Sequence, residues 1–492
     1  MRDNMRDKKT GRSVKTVTIG AIAWKVLERG GNSIVSLVVQ FVMARLLVPE
    51  QFGMLSIMLV FVSLGNVVVQ SGMNTALIQA RKVHRIDCST VFWMSLTIST
   101  VLYAIVFFAT PAISVFYSMP GLVLPLRALA LLFFVNAYNS VQIALITRRL
   151  EMRKIFYGTV ASSLSSAICG IGCAVAGFGV WALVVQQLSY QISNCLAHAV
   201  QLDWRPHLEF SLDSARRLFG FGSRLLGSGL INQAYQSLSS LVIGRQFSAS
   251  ALGYVSQGMK YPQAIGNILD GAIQPVMLSA VSRAQSDIAQ VKRLMRRALK
   301  TSTFLVVPAM TLLAVIAPSL VPLLLGRQWI GSIWFMQVYC IVYAMLPIHT
   351  TNLQTLNGMG RSDLFLKLEI IKIAIGVSSI VITAIVFQDI HLMIASYILT
   401  GLLSTIINAW PNRRVIDYSY MEQIRDVAPA VLLTIVAAAS GWAVSMLPVS
   451  GAALIILQII AFVIVYLALA AFFKVEELMY LITVIQEFLS VR

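Results

Sequence analysis

The feature that most constrains this chain is a succession of long apolar stretches with few charges. A crossing of the bilayer as a helix needs ~20 consecutive apolar residues. Fourteen stretches meet that length, at 17–47, 53–78, 90–116, 123–146, 156–176, 178–200, 217–243, 251–282, 301–325, 331–357, 366–387, 390–410, 427–446 and 451–473. Only helices or closed barrels satisfy their backbone groups in lipid, and stretches of this length are helical. The expected fold is therefore an all-α polytopic membrane protein with about fourteen transmembrane helices. Composition agrees: of 492 residues 58% are hydrophobic and 12% charged, with a mean hydropathy of +0.79, where soluble domains carry about 25% charge.

The net charge of +18 would suggest nucleic acid in a soluble chain, but its placement suggests topology. With the N-terminus in the cytoplasm, the inside segments hold 29 Lys and Arg, against three outside, Arg45, Arg245 and Arg327. Six more lie within spans. That asymmetry follows the positive-inside rule and places both termini in the cytoplasm. It removes most of the case for a nucleic-acid partner, while leaving the basic loops free to meet anionic membrane lipids. No cleavable signal peptide is expected, because the basic head at 1–16 leads into a span too long and too charged for one. The five cysteines show neither a disulfide framework nor metal spacing.

The first span carries Lys25, Glu28, Arg29 and Asn32, which share one helical face with Ser36 and Gln40. Charge at the centre of a membrane helix costs roughly 2.5 kcal/mol or more per residue, so such a stripe must face protein or a wet cavity. Alternatively, Lys25, Glu28 and Arg29 form a self-contained ion cluster snorkelling to the interface. The pattern returns 200 residues later. RLLVPEQFG at 45–53 is matched by RQFSASALG at 245–253, Gly20 by Gly220 and Asn32 by Asn232. Span seven shows its own stripe, Arg224, Ser228, Asn232, Gln236 and Ser239.

The chain thus reads as a head (1–16), an N-lobe of six spans (17–200), a linker (201–216), a C-lobe of six spans (217–410), a loop (411–426), two further spans (427–473) and an amphipathic tail (474–492). An even number of spans per lobe makes the repeat parallel. Spans one and seven are expected to face each other across a central cavity walled by Lys25, Arg29 and Arg224. Gly30, Gly31, Gly227 and Gly229 serve there either as bending points or as close-packing sites.

Arg127, Lys260 and Asp270 are further ionisable residues in spans. Asn136, Asn139, Gln142, Gln187, Gln191 and Asn194 are expected to hydrogen-bond between helices. His349 reads as a packing residue, and Glu369 with Lys372 as an i, i+3 pair. Arg45 and Arg245 read as interface anchors or turn-fixing residues. No nucleotide loop, nucleophile elbow or metal motif occurs, so no enzyme activity and no cofactor are expected.

The first-loop stretch FVMARLLVPEQFGMLSIMLVF and the span-one segment WKVLERGGN resemble the Wzx-type polysaccharide repeat-unit flippases, in the colanic-acid and exopolysaccharide branch of the multidrug/oligosaccharidyl-lipid/polysaccharide exporter superfamily. The likeness covers essentially the whole chain. It implies a two-lobed transporter of the bacterial inner membrane. Such a protein turns undecaprenyl-diphosphate-linked oligosaccharide across the membrane by alternating access, for exopolysaccharide or lipopolysaccharide synthesis. Polysaccharide polymerase and export machinery are implied partners, and a proton or sodium gradient is an open driving force. In that frame Lys25, Arg29, Asn32, Arg127, Arg224, Asn232 and Lys260 are candidate substrate-binding residues, with Glu28 and Asp270 for coupling or charge balance. Two alternatives remain. A cation-coupled multidrug exporter is disfavoured by the basic cavity, and a membrane glycan polymerase or ligase by the lack of a large outer loop.

Overall fold

The computed structural model describes residues 35–490, apart from positions 71 and 81. Lys25, Glu28, Arg29 and Asn32, with Gly30 and Gly31, lie outside the described residues. Helices account for the described architecture, and no strand occurs among those residues.

In chain order the first unit contains α1 (Val35–Leu46), α2 (Pro49–Gln70), α3 (Met73–Gln79), α4 (Arg85–Phe116), α5 (Val123–Ala130), α6 (Leu132–Arg148), α7 (Met152–Val175), α8 (Val180–Gln201) and α9 (Leu212–Gln246). α10 (Ala249–Ala284) leads into the second, with α11 (Ile288–Leu324), α12 (Ile333–Ala344), α13 (Leu346–Gly358), α14 (Ser362–Val381), α15 (Ile390–Ala409), α16 (Asn412–Val415), α17 (Tyr420–Val444), α18 (Ala452–Phe472) and α19 (Glu476–Ser490). Eleven helical segments among the described residues are long and apolar enough to cross a membrane. The chain is a multi-pass membrane protein. Three of the fourteen expected spans fall outside that criterion: the first, which is described only from residue 35, and the more polar α8 and α9.

The 200-residue repeat has a structural counterpart. α1 ends at Leu46 and α9 at Gln246, two residues intervene in each case, and the next helices start at Pro49 and Ala249. Pro49 suits the first helical position because its missing N–H would be unpaired there. Gln51 Oε1 accepts from Val48 N at 3.2 Å, and Ser248 Oγ accepts from Ala251 N at 3.0 Å. Different side chains thus cap the same turn. Arg245 lies over the Phe116 ring, its guanidinium carbon 4.9 Å from the centroid, which fits the turn-fixing reading.

The compact units divide after Leu252. The reason lies in α9, which packs along α2 and also touches α3 and α4. A Cβ on Gly229 would sit 3.2 Å from Val67 Cγ1, and one on Gly244 would collide with Ile57 at 2.4 Å. Gly229 is therefore a close-packing glycine, whereas Gly227 meets nothing within 4 Å. At Gly72, φ is +65° and an added Cβ would press on Gly222 O at 2.8 Å. Only glycine relieves both constraints.

The base of the first unit is a cluster of Met73, Leu77, Val91, Val141, Leu145, Trp204 and Leu218. Arg148 closes the end of α3 by donating from Nη1 to the carbonyls of Leu77, Ile78 and Ala80. A cation suits the carbonyl-rich end of a helix.

In the second unit α11 is the pillar, touching α12, α13, α17, α18 and α19. The tail forms the expected helix. Val475, Leu478 and Leu481 pack against a core of Phe304, Leu433, Phe462 and Tyr466, while Met479 and Ile482 stay exposed. Lys300 Nζ meets Glu476 and Glu477 at 2.9 Å each. This pairing holds the exposed Glu476 carboxyl below its ordinary value, through the hydrogen bond first and the charge second. Its contribution is complete above the ordinary Glu value of about 4.3 and is lost as pH falls through the lower folded value. Limited proteolysis of the tail is therefore expected to be flat from neutral pH down to about 5 and to quicken only in stronger acid.

Candidate substrate-facing elements

α9 positions the clearest candidate surface. Gly229, Gln233, Ser237 and Gly244 turn toward α2, and Gln233 Nε2 donates to Ser63 Oγ and Ser237 Oγ at 3.1 Å each. One residue back, about 100° round the helix, Ser228, Asn232 and Gln236 are exposed. Asn232 Oδ1 accepts from Gln236 Nε2 at 3.2 Å, a bond within the helix that ties neither side chain to another element. Arg224 lies one turn before Ser228, and its side chain is outside the described residues.

The other expected site residues do not all converge on this face. Arg127, on α5, donates from Nε to Phe107 O at 3.2 Å, and its guanidinium carbon stands 3.8 Å over the Phe107 ring. That arrangement spends one edge and one face of the cation on α4. Lys260 is partly buried on α10. Ten residues on, Asp270 is also partly buried, and accepts from Thr350 Oγ1 of α13 and from Gln274 Nε2 at 2.5 Å. Asp270 thus carries two donors and no cation among its described hydrogen-bond and ion-pair partners.

Several polar residues knit helices together. Asn136 Nδ2 donates to Asn66 Oδ1 at 2.8 Å. Asn139 donates to Asn194 Oδ1 at 3.3 Å and faces His198 Nδ1 at 3.0 Å through its own Oδ1. His349 Nδ1 lies 3.0 Å from Asn408 Nδ2, in keeping with a packing histidine, and Lys372 binds Glu369 at 2.6 Å. Ser36 of the first-span stripe and Gln187 of α8 meet in a small cavity of about 200 Å³, with Ser163, Ser166, Gln186 and Tyr190. The lining is neutral and rich in hydroxyl and amide groups.

Sequence reasoning missed two buried carboxylates. Asp87 accepts from His84 N at 2.8 Å, Ser214 Oγ at 2.7 Å and Arg217 Nη2 at 2.6 Å. Asp426 accepts from Arg296 Nη2 and from the Tyr418 hydroxyl, both at 2.6 Å. Burial, then the bond to Asp426, pushes the Tyr418 hydroxyl well above its ordinary value, which keeps it a donor. No group of three or more His, Cys, Asp or Glu able to hold a metal occurs among the described residues.

Comparison with known proteins agrees with this fold. The lipid II flippase MurJ, in its inward closed conformation, superposes with a TM-score of 0.71 at 13% identity, over 92% of this chain and 98% of that one. An inward-facing multidrug resistance transporter of the MATE family gives 0.60 at 15% identity, over 79% and 98%. In sequence, the lipopolysaccharide biosynthesis protein WzxC of Escherichia coli is 24% identical over 419 residues, 84% of each chain. The succinoglycan biosynthesis transport protein ExoT of Rhizobium meliloti is 23% identical over 349 residues, 71% of this chain and 70% of that one. The profile of the polysaccharide biosynthesis protein family matches residues 42–334. The match spans more than half of the chain and includes the loop that carries the Wzx-type resemblance, so this protein belongs to the polysaccharide biosynthesis protein family.

Proposed function

We propose that the protein is a flippase that carries undecaprenyl-diphosphate-linked oligosaccharide repeat units across the bacterial inner membrane by alternating access. The observation that carries this reading is the exposed polar face of α9. This helix runs beside the membrane span α2, yet turns Ser228, Asn232 and Gln236 away from that contact. Polar groups kept exposed at membrane depth are tolerated where they line water, and amides there suit sugar hydroxyls. The relatives named for polysaccharide biosynthesis and the fold shared with a lipid II flippase support the same substrate class.

In this mechanism Lys25, Arg29 and Arg224 neutralise the diphosphate, Arg through paired hydrogen bonds. Asn32 and Asn232 meet sugar, and Arg127 and Lys260 guide the anion outward. Glu28 balances the cluster. Asp270, whose described partners are the two neutral donors Thr350 and Gln274, takes up a proton or sodium ion from a gradient. The protein acts as a transporter and not as an enzyme, with both termini in the cytoplasm, and delivers its cargo to polymerase and export machinery.

The test is complementation of a deletion strain. Wild type is expected to restore surface polysaccharide. Arg224→Glu and the Asn232→Leu/Gln236→Leu pair, inserted at wild-type level, are expected to restore about tenfold less, because each loses charged or paired hydrogen bonds to substrate. An unchanged polymer in the deletion strain, with no build-up of lipid-linked intermediates, refutes the substrate class. Cation-coupled drug export, favoured by the likeness to the multidrug transporter, predicts instead that deletion raises retention of cationic dyes.

A further inference from the structure

α11 is 37 residues long, about 55 Å at 1.5 Å per residue, against a hydrocarbon layer of about 30 Å. Its last twenty residues, 305–324, suffice to cross. The preceding stretch therefore stands in the headgroup layer and beyond, at the end of the bundle where the basic loops gather. Arg293, Arg296, Arg297 and Lys300 follow one another there at i, i+3, i+4 and i+7, on one helical face. With Thr301, Glu476, Glu477 and Tyr480 they line a cavity of about 510 Å³ between α11 and the tail helix α19.

The cavity's carboxylates are already committed. Glu476 and Glu477 both bind Lys300, and Arg296 is taken by Asp426 from outside the cavity. Arg297 stands over the Tyr480 ring, its guanidinium carbon 3.8 Å from the centroid, which fixes the plane of the cation and leaves its N–H edge without a hydrogen-bond partner among the described residues. Arg293 is exposed and bonds to no carboxylate among the described residues. Two guanidinium groups one turn apart, with donors to spare and a clear space before them, fit the oxygens of a phosphate.

We propose that this cavity binds the phosphate of an anionic phospholipid headgroup in the adjoining leaflet. A free phosphate offers the same oxygens, but the tail helix favours a lipid. Met479 and Ile482, on either side of Tyr480, are exposed apolar side chains of α19. Beside the headgroup layer they contact acyl chains, as the apolar face of an interfacial helix does. The bound lipid joins α11 to α19 and seats the tail. This site stands independently of what the protein transports.

The experiment uses the full-length protein in neutral detergent, with tryptophan fluorescence reporting thermal unfolding. Added dioleoyl-phosphatidylglycerol is expected to raise the midpoint, whereas dioleoyl-phosphatidylcholine and inorganic phosphate at equal concentration leave it unchanged. In the Arg293→Gln/Arg297→Gln protein the half-saturating phosphatidylglycerol concentration is expected to rise about tenfold, as suits the loss of two charged donors. Arg413→Gln/Arg414→Gln, at a separate exposed basic pair, is expected to respond as wild type does. An equal response from the Arg293/Arg297 variant overturns the site, and a phosphate response matching that of the lipid overturns the lipid assignment. Should the double variant fail to fold, native mass spectrometry of Arg297→Gln decides. Loss of retained phosphatidylglycerol supports the site, and retention equal to wild type overturns it.

Discussion

Gly53→Ala is expected to remove most of the folded protein from the membrane. An ideal Cβ at Gly53 would sit 1.8 Å from the carbonyl oxygen of Ala249 and 2.6 Å from its carbonyl carbon. Both are backbone atoms at the start of α10, so no rotamer change relieves the clash. The helices must separate instead, and overpacking of this kind costs about 3 kcal/mol. Gly53 lies in the second turn of α2 with ordinary helical backbone geometry, so the loss arises from crowding alone. Gly220→Ala is the matched control: it is also helical, and nothing lies within 4 Å of its added Cβ. There the lower entropy of the unfolded chain should leave stability unchanged or raised by about 0.5 kcal/mol. Fluorescence-detected size exclusion of tagged protein after a heat step separates the two. Equal recovery of the Gly53 and Gly220 variants would show that α2 does not approach Ala249 so closely.

Asp87→Ala is the second substitution expected to act strongly. The residue is 1% exposed and serves as acceptor for three groups from two distant parts of the chain. Alanine leaves His84 N without its cap partner and the buried Ser214 hydroxyl without an acceptor. The lost helix cap and the buried hydroxyl left unpaired cost about 3 kcal/mol together. The Arg217 side chain is 61% exposed and turns to water instead, so Arg217→Gln is expected to cost only about 1 kcal/mol. The order Asp87→Ala, Ser214→Ala, Arg217→Gln, from most to least destabilising, is the expected readout of a thermal-stability series. Arg217→Gln as harmful as Asp87→Ala would mean that the ion pair, and not the cap and the hydroxyl, holds this end of α9.

The span limits were legible in the sequence because hydropathy reports the solvent a segment will meet, and that is a local property. The reading of 390–410 meets α15 at Ile390–Ala409, and 451–473 meets α18 at Ala452–Phe472. Where it fell short, as for α11, the helix begins at Ile288 and not at residue 301. Its first residues, Ile288–Lys300, are amphipathic and not apolar, so a hydropathy window ends too soon. The repeat was legible for a related reason. A two-residue turn between helices demands particular residues at fixed offsets, and these recur at 45–53 and 245–253.

The sequence by itself determined a multi-pass helical protein, its internal repeat, the polar stripe on span seven and the family resemblance, since each is written in local period or composition. Only the tertiary structure decided which polar residues are joined to one another. The arginines of the basic loops read as topological signals, yet Arg217 and Arg296 each close on a buried aspartate 130 residues away. Asn139 and Asn194 read as interhelical amides, and the fold joined them to each other and set His198 beside Asn139. A hydrogen bond between helices leaves no trace in spacing, because its partner is set by how helices pack and not by where residues fall along the chain. For the same reason Asn232 and Gln233, neighbours in sequence, part company: packing against α2 claims Gln233 and leaves Asn232 exposed.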